Sequence, residues 1–151
     1  MALPAKLEEL LDDLDLLSDR SERIDALIGV AGRFRDVPER IAERPFPDEH
    51  KVPACESQAY VFAEPRPDGT LNYHFAVENP QGISAKALAV ILGETVSGAP
   101  LEEVAALPGD LIYRIFGREL SMGKSMGLMG MVSMAAHSAQ QALAATVNQR
   151  K

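Results

Sequence analysis

Apolar residues near the N-terminus recur at steps of three and four positions, with acidic residues between them, from Pro4 to Leu17. This spacing predicts an amphipathic helix. The polar stretch that follows holds Asp19 with Glu22 three positions later, a pairing typical of the N-cap of a second helix. Five apolar residues are expected to form the buried face of that helix: Ile24, Leu27, Ile28, Ala31 and Phe34.

Two runs in the middle of the chain predict an antiparallel β-hairpin. Residues 58–64 are rich in β-branched and aromatic side chains, and residues 67–69 (Pro-Asp-Gly) are typical of a tight turn. In residues 71–78 large apolar side chains alternate strictly with polar or small ones, which indicates a strand with one face packed and the other in water. Residues 50–52 are predicted to add a short edge piece.

Everything after the hairpin has helical spacing. The predicted helices are one capped by Ser84, a short one beginning at Pro100, one over 111–116, and a last one from Ser121 to about Val147. The order of helices, strands and helices predicts an α+β fold, in which a small antiparallel sheet of two to three strands has helices packed around it. No repeat or linker divides the chain, so residues 1–151 are expected to form a single domain.

Charge and composition exclude several classes of function. The net charge is −7 and there is no basic run, so the sequence lacks the positive patch that binds nucleic acid. Acidic residues interrupt the leucine-rich N-terminus, which is therefore not typical of a signal peptide or a membrane span. A single cysteine rules out a disulfide framework within the chain and suits a reducing compartment, so the cytoplasm is the expected location.

Cys55, the only cysteine, is the strongest candidate for chemistry. A thiol reacts as its thiolate, and without a second cysteine it exchanges sulfur only with another molecule. The alternative is a buried cysteine that only packs, which is the commoner fate of a lone cysteine. Pro53 and the polar run 56–58 favour a loop edge for Cys55.

Other motifs carry less weight. The segment 123–125 (Gly-Lys-Ser) lacks the glycine spacing and the preceding strand of a phosphate-binding loop. The three histidines do not have the spacing of metal ligands on a helix, so no metal site is predicted. Met122, Met126 and Met129 share one helical face and are expected to fill the core, with soft-metal binding or an adaptable partner surface as alternatives.

Three segments together resemble one known family. Residues 52–58 (Val-Pro-Ala-Cys-Glu-Ser-Gln) resemble the acceptor loop of SufE-type sulfur-acceptor proteins, and residues 86–92 resemble the family's helix after the sheet. Residues 119–128, with Met131, are similar to the signature that opens its final helix. The sequence departs from the family pattern at four places. Ala54 stands in place of a glycine, Tyr60 in place of a tryptophan and Lys124 in place of an arginine, and the turn at residues 79–82 differs from the turn of the family.

The resemblance implies a SufE/IscU-like α+β fold and a task in iron–sulfur cluster assembly. The chain would not be an enzyme. A SufS-type cysteine desulfurase, which carries pyridoxal phosphate, would load persulfide sulfur onto Cys55, and a SufB-type scaffold would receive it. This chain would bind no cofactor or metal. The resemblance leaves open whether the chain forms a weak homodimer.

The resemblance also implies roles for individual residues. Cys55 would be the acceptor, and its neighbours Ala54, Glu56, Ser57 and Gln58 would contact the partner. A free cysteine is only a few per cent thiolate at neutral pH, so a nearby cation would help, and the candidates are His50, Lys51 and Lys124. The rival hypothesis is an interaction domain that regulates a desulfurase and in which Cys55 is structural.

Overall fold

The computed structural model describes residues 2–149. The elements follow in the order α1 (Ala5–Asp15), α2 (Arg20–Ala31), β1 (Ala59–Pro65), β2 (Leu71–Val77), α3 (Ile83–Thr95), α4 (Leu101–Ala105), α5 (Leu111–Phe116) and α6 (Met122–Gln149). A single 3₁₀ turn, Asp48–His50, precedes β1. The predicted α+β class is confirmed.

Strands β1 and β2 form the predicted antiparallel hairpin, with a register that runs from Ala59 opposite Val77 to Pro65 opposite Leu71. The predicted edge piece is reduced to one bridge, between Lys51 and Tyr60. The alternation in β2 has the expected result on one side, where Leu71, Tyr73 and Phe75 are buried. These side chains face the helices and form part of the main core.

The other face of the hairpin is covered, so the prediction of a face in water is wrong. Val37 and Phe46, from the segment between α2 and β1, are buried together with Phe62 and Ala76 in a second, smaller core. The Phe46 and Phe62 rings lie 5.4 Å apart in an edge-on arrangement. The reason is that an irregular segment supplies apolar residues to this face, which strand periodicity alone does not reveal.

Ion pairs hold this covering segment in place. Arg44 Nε lies 2.9 Å from Glu78 Oε1, and Arg40 pairs with Glu64. Hydrogen bonds from Arg40, then from His74 and Asn72, lower the pKa of Glu64 to about 2. The Glu64 carboxylate therefore remains charged at neutral pH.

Helices α3 and α6 each contribute more buried residues to the main core than any other element, among them Leu88, Leu92, Met131 and Val132. The Tyr73 hydroxyl joins β2 to α6 by donating a hydrogen bond to the Ala135 carbonyl at 2.8 Å. Burial raises the pKa of Tyr73 far above its ordinary value, so the hydroxyl keeps its proton and remains a donor. None of the helices in the described part of the chain combines the length and the apolar character needed to cross a membrane.

Two of the predicted helix caps form. The Asp19 carboxylate accepts from Ser21 N at 2.9 Å, and Ser121 Oγ accepts from Lys124 N at 3.2 Å. Ser84 does not cap α3, because the helix already begins at Ile83 with Gly82 as N-cap. Pro4 and Pro100 are N-caps and so precede the first helical positions expected for them.

The predicted buried face of α2 is wrong for Ile24 and Ile28, which are exposed. Leu27 and Ala31 are buried, and α2 packs mainly against α3. The apolar stripe of α2 is wider than this contact, so the residues at its flank face the solvent. Met122 and Met126 are exposed as well, contrary to the prediction that they fill the core, because the start of α6 has no helix packed over that side.

Candidate functional site

Cys55 lies in the loop between the Lys51 bridge and β1. The loop is tied down at both ends: Val52 N donates to the Ala59 carbonyl at 2.9 Å, and Gln58 N donates to the Cys55 carbonyl at 3.0 Å. Ala54 (φ 56°) and Gln58 (φ 53°) both adopt the left-handed conformation that favours glycine. The loop therefore holds Cys55 between two strained residues, a feature that clusters at functional sites.

Ala54→Gly is expected to stabilise the protein by about 0.5–1 kcal/mol. A left-handed conformation costs an L-residue about 1–2 kcal/mol, and glycine avoids this cost. Glycine also has more freedom in the unfolded chain, which offsets about 0.4–1 kcal/mol of the stabilisation. Urea unfolding followed by circular dichroism measures the difference. Ala26→Gly, inside α2, is the matched control and should destabilise by up to about 1 kcal/mol. Equal losses from both substitutions would contradict the assignment of strain to Ala54.

The loop rests on three glycines of α6, here called the glycine row: Gly123, Gly127 and Gly130. A Cβ on Gly127 would lie 3.1 Å from Cys55 Sγ and 3.2 Å from Cys55 Cα. A Cβ on Gly130 would lie 2.7 Å from Val52 Cγ1. At positions 127 and 130, only a residue without a side chain allows the cysteine loop to approach the helix this closely.

Sequence reasoning missed this contact, although a signal was present. The glycines follow at steps of four and three positions, which places them on one face of a helix. Gly123 and Gly127 belong to the segment that resembles the family signature, and Gly130 follows it. Nothing in the sequence connects the three glycines with a loop that lies much earlier in the chain. A row of glycines on one face of a helix allows the close approach of another backbone.

The turn at 79–82 forms the other side of the site. Asn79 N donates to the Ser57 carbonyl at 3.1 Å, and Glu78 N donates to the Gln58 carbonyl at the same distance. Gly82 packs so tightly on Ser57 that a Cβ would lie 2.9 Å from Ser57 Oγ. The altered turn therefore supports the cysteine loop through backbone hydrogen bonds and through a glycine of its own.

Cys55 is half-buried and opens into a cavity of about 300 Å³, here called the thiol cavity. Its lining comes from the cysteine loop, the 79–82 turn, the start of α3 and the start of α6, and includes Glu56, Ile83, Ser84 and Lys124. A cavity of this volume has room for an added sulfur atom. The thiol is therefore sheltered on the side of α6 and reachable from outside.

The predicted cations are distributed unequally around the thiol. Lys124 lines the thiol cavity, and Lys51 lines another cavity that also includes Cys55. His50 lines neither: its Nδ1 lies 3.1 Å from the Val61 carbonyl and its ring packs on Phe62. The geometry therefore favours Lys124 and Lys51 over His50 as groups that act on the thiol.

The neighbours of Cys55 that were predicted to contact a partner are accessible. Ala54, Glu56 and Gln58 are exposed, and Ser57 is half-buried against Gly82. Among residues 2–149, no group of three histidine, cysteine or acidic side chains is arranged to hold a metal ion. The site thus consists of one thiol, an adjacent lysine and an exposed polar loop.

The fold and the site define an α+β protein that holds a lone half-buried thiol between a helix and a hairpin, and comparison with known proteins identifies its family. The profile of the SufE family, described as an Fe-S metabolism associated domain, matches residues 8–139. The chain belongs to the SufE family. A role in the sulfur metabolism of Fe–S clusters and an interaction with a cysteine desulfurase follow from this membership.

Two relatives agree with this assignment. An uncharacterized SufE-like protein of Rhizobium etli is 31% identical over 138 residues, which cover 85% of each chain. The solution structure of a hypothetical protein from Thermus thermophilus superposes with a TM-score of 0.72 at 20% identity, over 95% of this chain and 99% of the other. The second likeness shows the fold alone.

Proposed function

We propose that this chain is a sulfur carrier which accepts persulfide sulfur on Cys55 from a SufS-type cysteine desulfurase, stimulates that enzyme, and passes the sulfur to a SufB-type scaffold in the cytoplasm. The observation that carries the proposal is the half-buried Cys55 thiol at the open thiol cavity of a SufE-family chain. The accessible polar loop around the thiol supports it, since a sulfur donor has to reach this atom directly.

The transfer is a thiol exchange without net oxidation. The Cys55 thiolate attacks the terminal sulfur of the donor's cysteine persulfide, so that a new sulfur–sulfur bond forms on Cys55. The donor's sulfur–sulfur bond breaks, and its electron pair leaves with the donor's thiolate. The proton of the persulfide stays with the transferred sulfur, and no additional oxidant or reductant is needed.

The residues of this chain supply position and charge. Lys124, which lines the thiol cavity, favours an anionic sulfur, and Lys51 does the same from the other cavity that includes Cys55. In this proposal the chain binds no cofactor and catalyses no reaction by itself. The carbon–sulfur bond of cysteine is cleaved by the partner, which holds the pyridoxal phosphate.

Loading of Cys55 is measured directly by intact mass spectrometry. After incubation with a cysteine desulfurase and cysteine, the wild-type chain is expected to gain the mass of one or more sulfur atoms, and Cys55→Ser is expected to gain none. The wild-type chain should also increase the rate at which the desulfurase releases alanine. Because the adduct should be lost on treatment with a reducing thiol, reduction confirms that it is a persulfide.

The same pair of proteins tests the rival role of Cys55 as a packing residue. Cys55→Ser should unfold within about 1 kcal/mol of the wild type, because a half-buried loop thiol contributes little packing. A wild-type chain that stays free of added sulfur, or a Cys55→Ser chain that stimulates the desulfurase fully, would refute the carrier function.

A further inference from the structure

A second cavity, of about 430 Å³, opens beside the thiol cavity and is here called the apolar groove. It lies between α2, the start of α3 and the segment 116–121. Its large apolar lining residues are Ile24, Leu27, Ile28, Ile83, Phe116 and Leu120. Single exposed apolar residues are ordinary on a protein surface, whereas several facing one groove mark an interaction site.

Three isoleucines of the groove are unusually accessible. Ile24 is 44% exposed, Ile28 is 53% exposed and Ile83 is 43% exposed. Branched aliphatic side chains are among those most often buried. The main core does not use this part of their surface, so it is available to a partner.

The apolar groove is continuous with the thiol cavity. Ile83, Ser84 and Lys124 line both. A molecule that reaches Cys55 through the thiol cavity therefore has the groove directly beside it. The shared lysine lies at the boundary between the apolar surface and the reactive thiol.

The area of a typical protein–protein interface favours a partner that covers the apolar groove as well as Cys55. A specific complex buries about 800 Å² on each partner, contributed by about 20–30 residues. The short cysteine loop is too small for that, so an interface centred on Cys55 extends beyond it. The other cavity beside Cys55 is lined by the charged Asp48, Lys51 and Glu56 and by Val52, Pro53 and Ala54, and it includes no large apolar side chain that is exposed. The groove offers the apolar pocket with a polar rim that typically contributes most to binding.

We propose that the apolar groove is the docking surface for the sulfur-donating desulfurase and that it receives an apolar side chain projecting from that enzyme. The proposal rests on the proposed function, because it uses Cys55 as the meeting point of the two proteins. The polar rim, which includes Lys124 and the Arg20–Glu119 ion pair, orients the donor. The groove sets the affinity of the complex, and Cys55 carries out the exchange.

Ile28→Asp tests the groove, because it places a charge in the pocket without touching the cysteine loop. The concentration of this chain that gives half-maximal sulfur loading should rise about tenfold or more. Loading at saturating concentration should reach the wild-type level. Val147→Asp is the matched control, since Val147 is 54% exposed and also lies in the last turn of a helix, and it should behave like the wild type.

Binding measured without sulfur transfer separates this inference from the proposed function. Isothermal titration of the desulfurase with Cys55→Ser, with and without Ile28→Asp, should show weaker binding only when the groove is altered. If no variant is ever loaded but this difference persists, the groove assignment stands and the carrier function fails. If Ile28→Asp, folded by circular dichroism, binds and loads like Val147→Asp, the groove assignment is overturned.

The test also distinguishes a second copy of this chain as the occupant. Sedimentation of the wild-type chain alone should show no dimer that depends on Ile28. A dimer that Ile28→Asp dissociates and Val147→Asp does not would assign the groove to self-association and overturn the docking of the desulfurase.

Discussion

Replacing Gly127 with alanine is expected to raise the rate at which iodoacetamide alkylates Cys55 by about tenfold, which corresponds to about 1.4 kcal/mol less protection of the thiol. The new Cβ would lie 3.1 Å from Cys55 Sγ, 3.2 Å from its Cα and 3.3 Å from its Cβ. Carbon atoms in ordinary contact are about 3.5–4.0 Å apart, so the cysteine and its backbone have to move away from α6.

The rest of the loop directs that movement toward the solvent. Two backbone hydrogen bonds anchor the loop to the hairpin: Val52 N donates to the Ala59 carbonyl, and Glu78 N donates to the Gln58 carbonyl. Only its tip, around Cys55, is free to leave the helix. A persulfide on the displaced cysteine should also be reduced faster by small thiols, since such exchange depends on access to the sulfur.

Two glycine-to-alanine controls separate this contact from a general effect on the helices. A Cβ on Gly123 would meet the end of the Glu56 side chain, which can swing aside, and a Cβ on Gly29 in α2 would meet nothing within 4 Å. Both variants should alkylate at the wild-type rate, and Gly29→Ala should stabilise its helix by up to about 1 kcal/mol. Alkylation measured across pH shows whether access or thiol acidity has changed.

The expected result for Gly127→Ala is a faster rate at every pH with an unchanged profile. A folded Gly127→Ala chain that is alkylated at the wild-type rate would show that the glycine row does not determine how deeply the thiol lies. A shifted profile would instead assign the effect to the charges around the thiol.

The features that the sequence predicts well are local ones. The hairpin follows from the alternation in 71–78 and a tight turn, and α6 follows from the Ser121 cap and a long helical period. Each depends on neighbours within a few positions, where backbone geometry and side-chain direction are directly coupled. The exposed cysteine loop followed from Pro53 and its polar neighbours in the same way.

The features that the sequence did not predict depend on contacts between distant segments. The stripe on α2 is apolar all along, and its periodicity does not reveal that Leu27 faces the core while Ile24 and Ile28 face an open groove. Helical spacing identifies a face, and only the packing of other elements decides whether that face is covered. The same reason explains the covered outer face of the hairpin, where Phe46 arrives from an irregular segment.

Arg23→Met is expected to lower the free energy of unfolding by about 2–3 kcal/mol. The Arg23 guanidinium, on α2, donates to the carbonyls of Leu14 at 2.9 Å, Arg114 at 2.6 Å and Ile115 at 3.3 Å. These carbonyls lie at the C-terminal ends of α1 and α5, where helical carbonyls lack partners within the helix and a cation is favoured.

Each hydrogen bond from a charged group contributes about 1.5–3 kcal/mol, and the three share one side chain, so their sum is not reached. Methionine keeps the aliphatic stem and removes the donors. The loss should appear as a lower urea midpoint at an unchanged slope. Arg23→Lys should recover only part of it, because an ammonium does not reproduce the fork of donors that reaches two helix ends at once.

Arg20→Met is the control on the same helix. Arg20 pairs with Glu119 at the surface, with both side chains more than two thirds exposed, and such pairs contribute about 0–1 kcal/mol. An Arg23→Met chain as stable as Arg20→Met would contradict the bridging role. If the loss occurs, the position of α2 depends on Arg23. Because α2 supplies Ile24 and Ile28 to the apolar groove, Arg23→Met should then also weaken desulfurase binding.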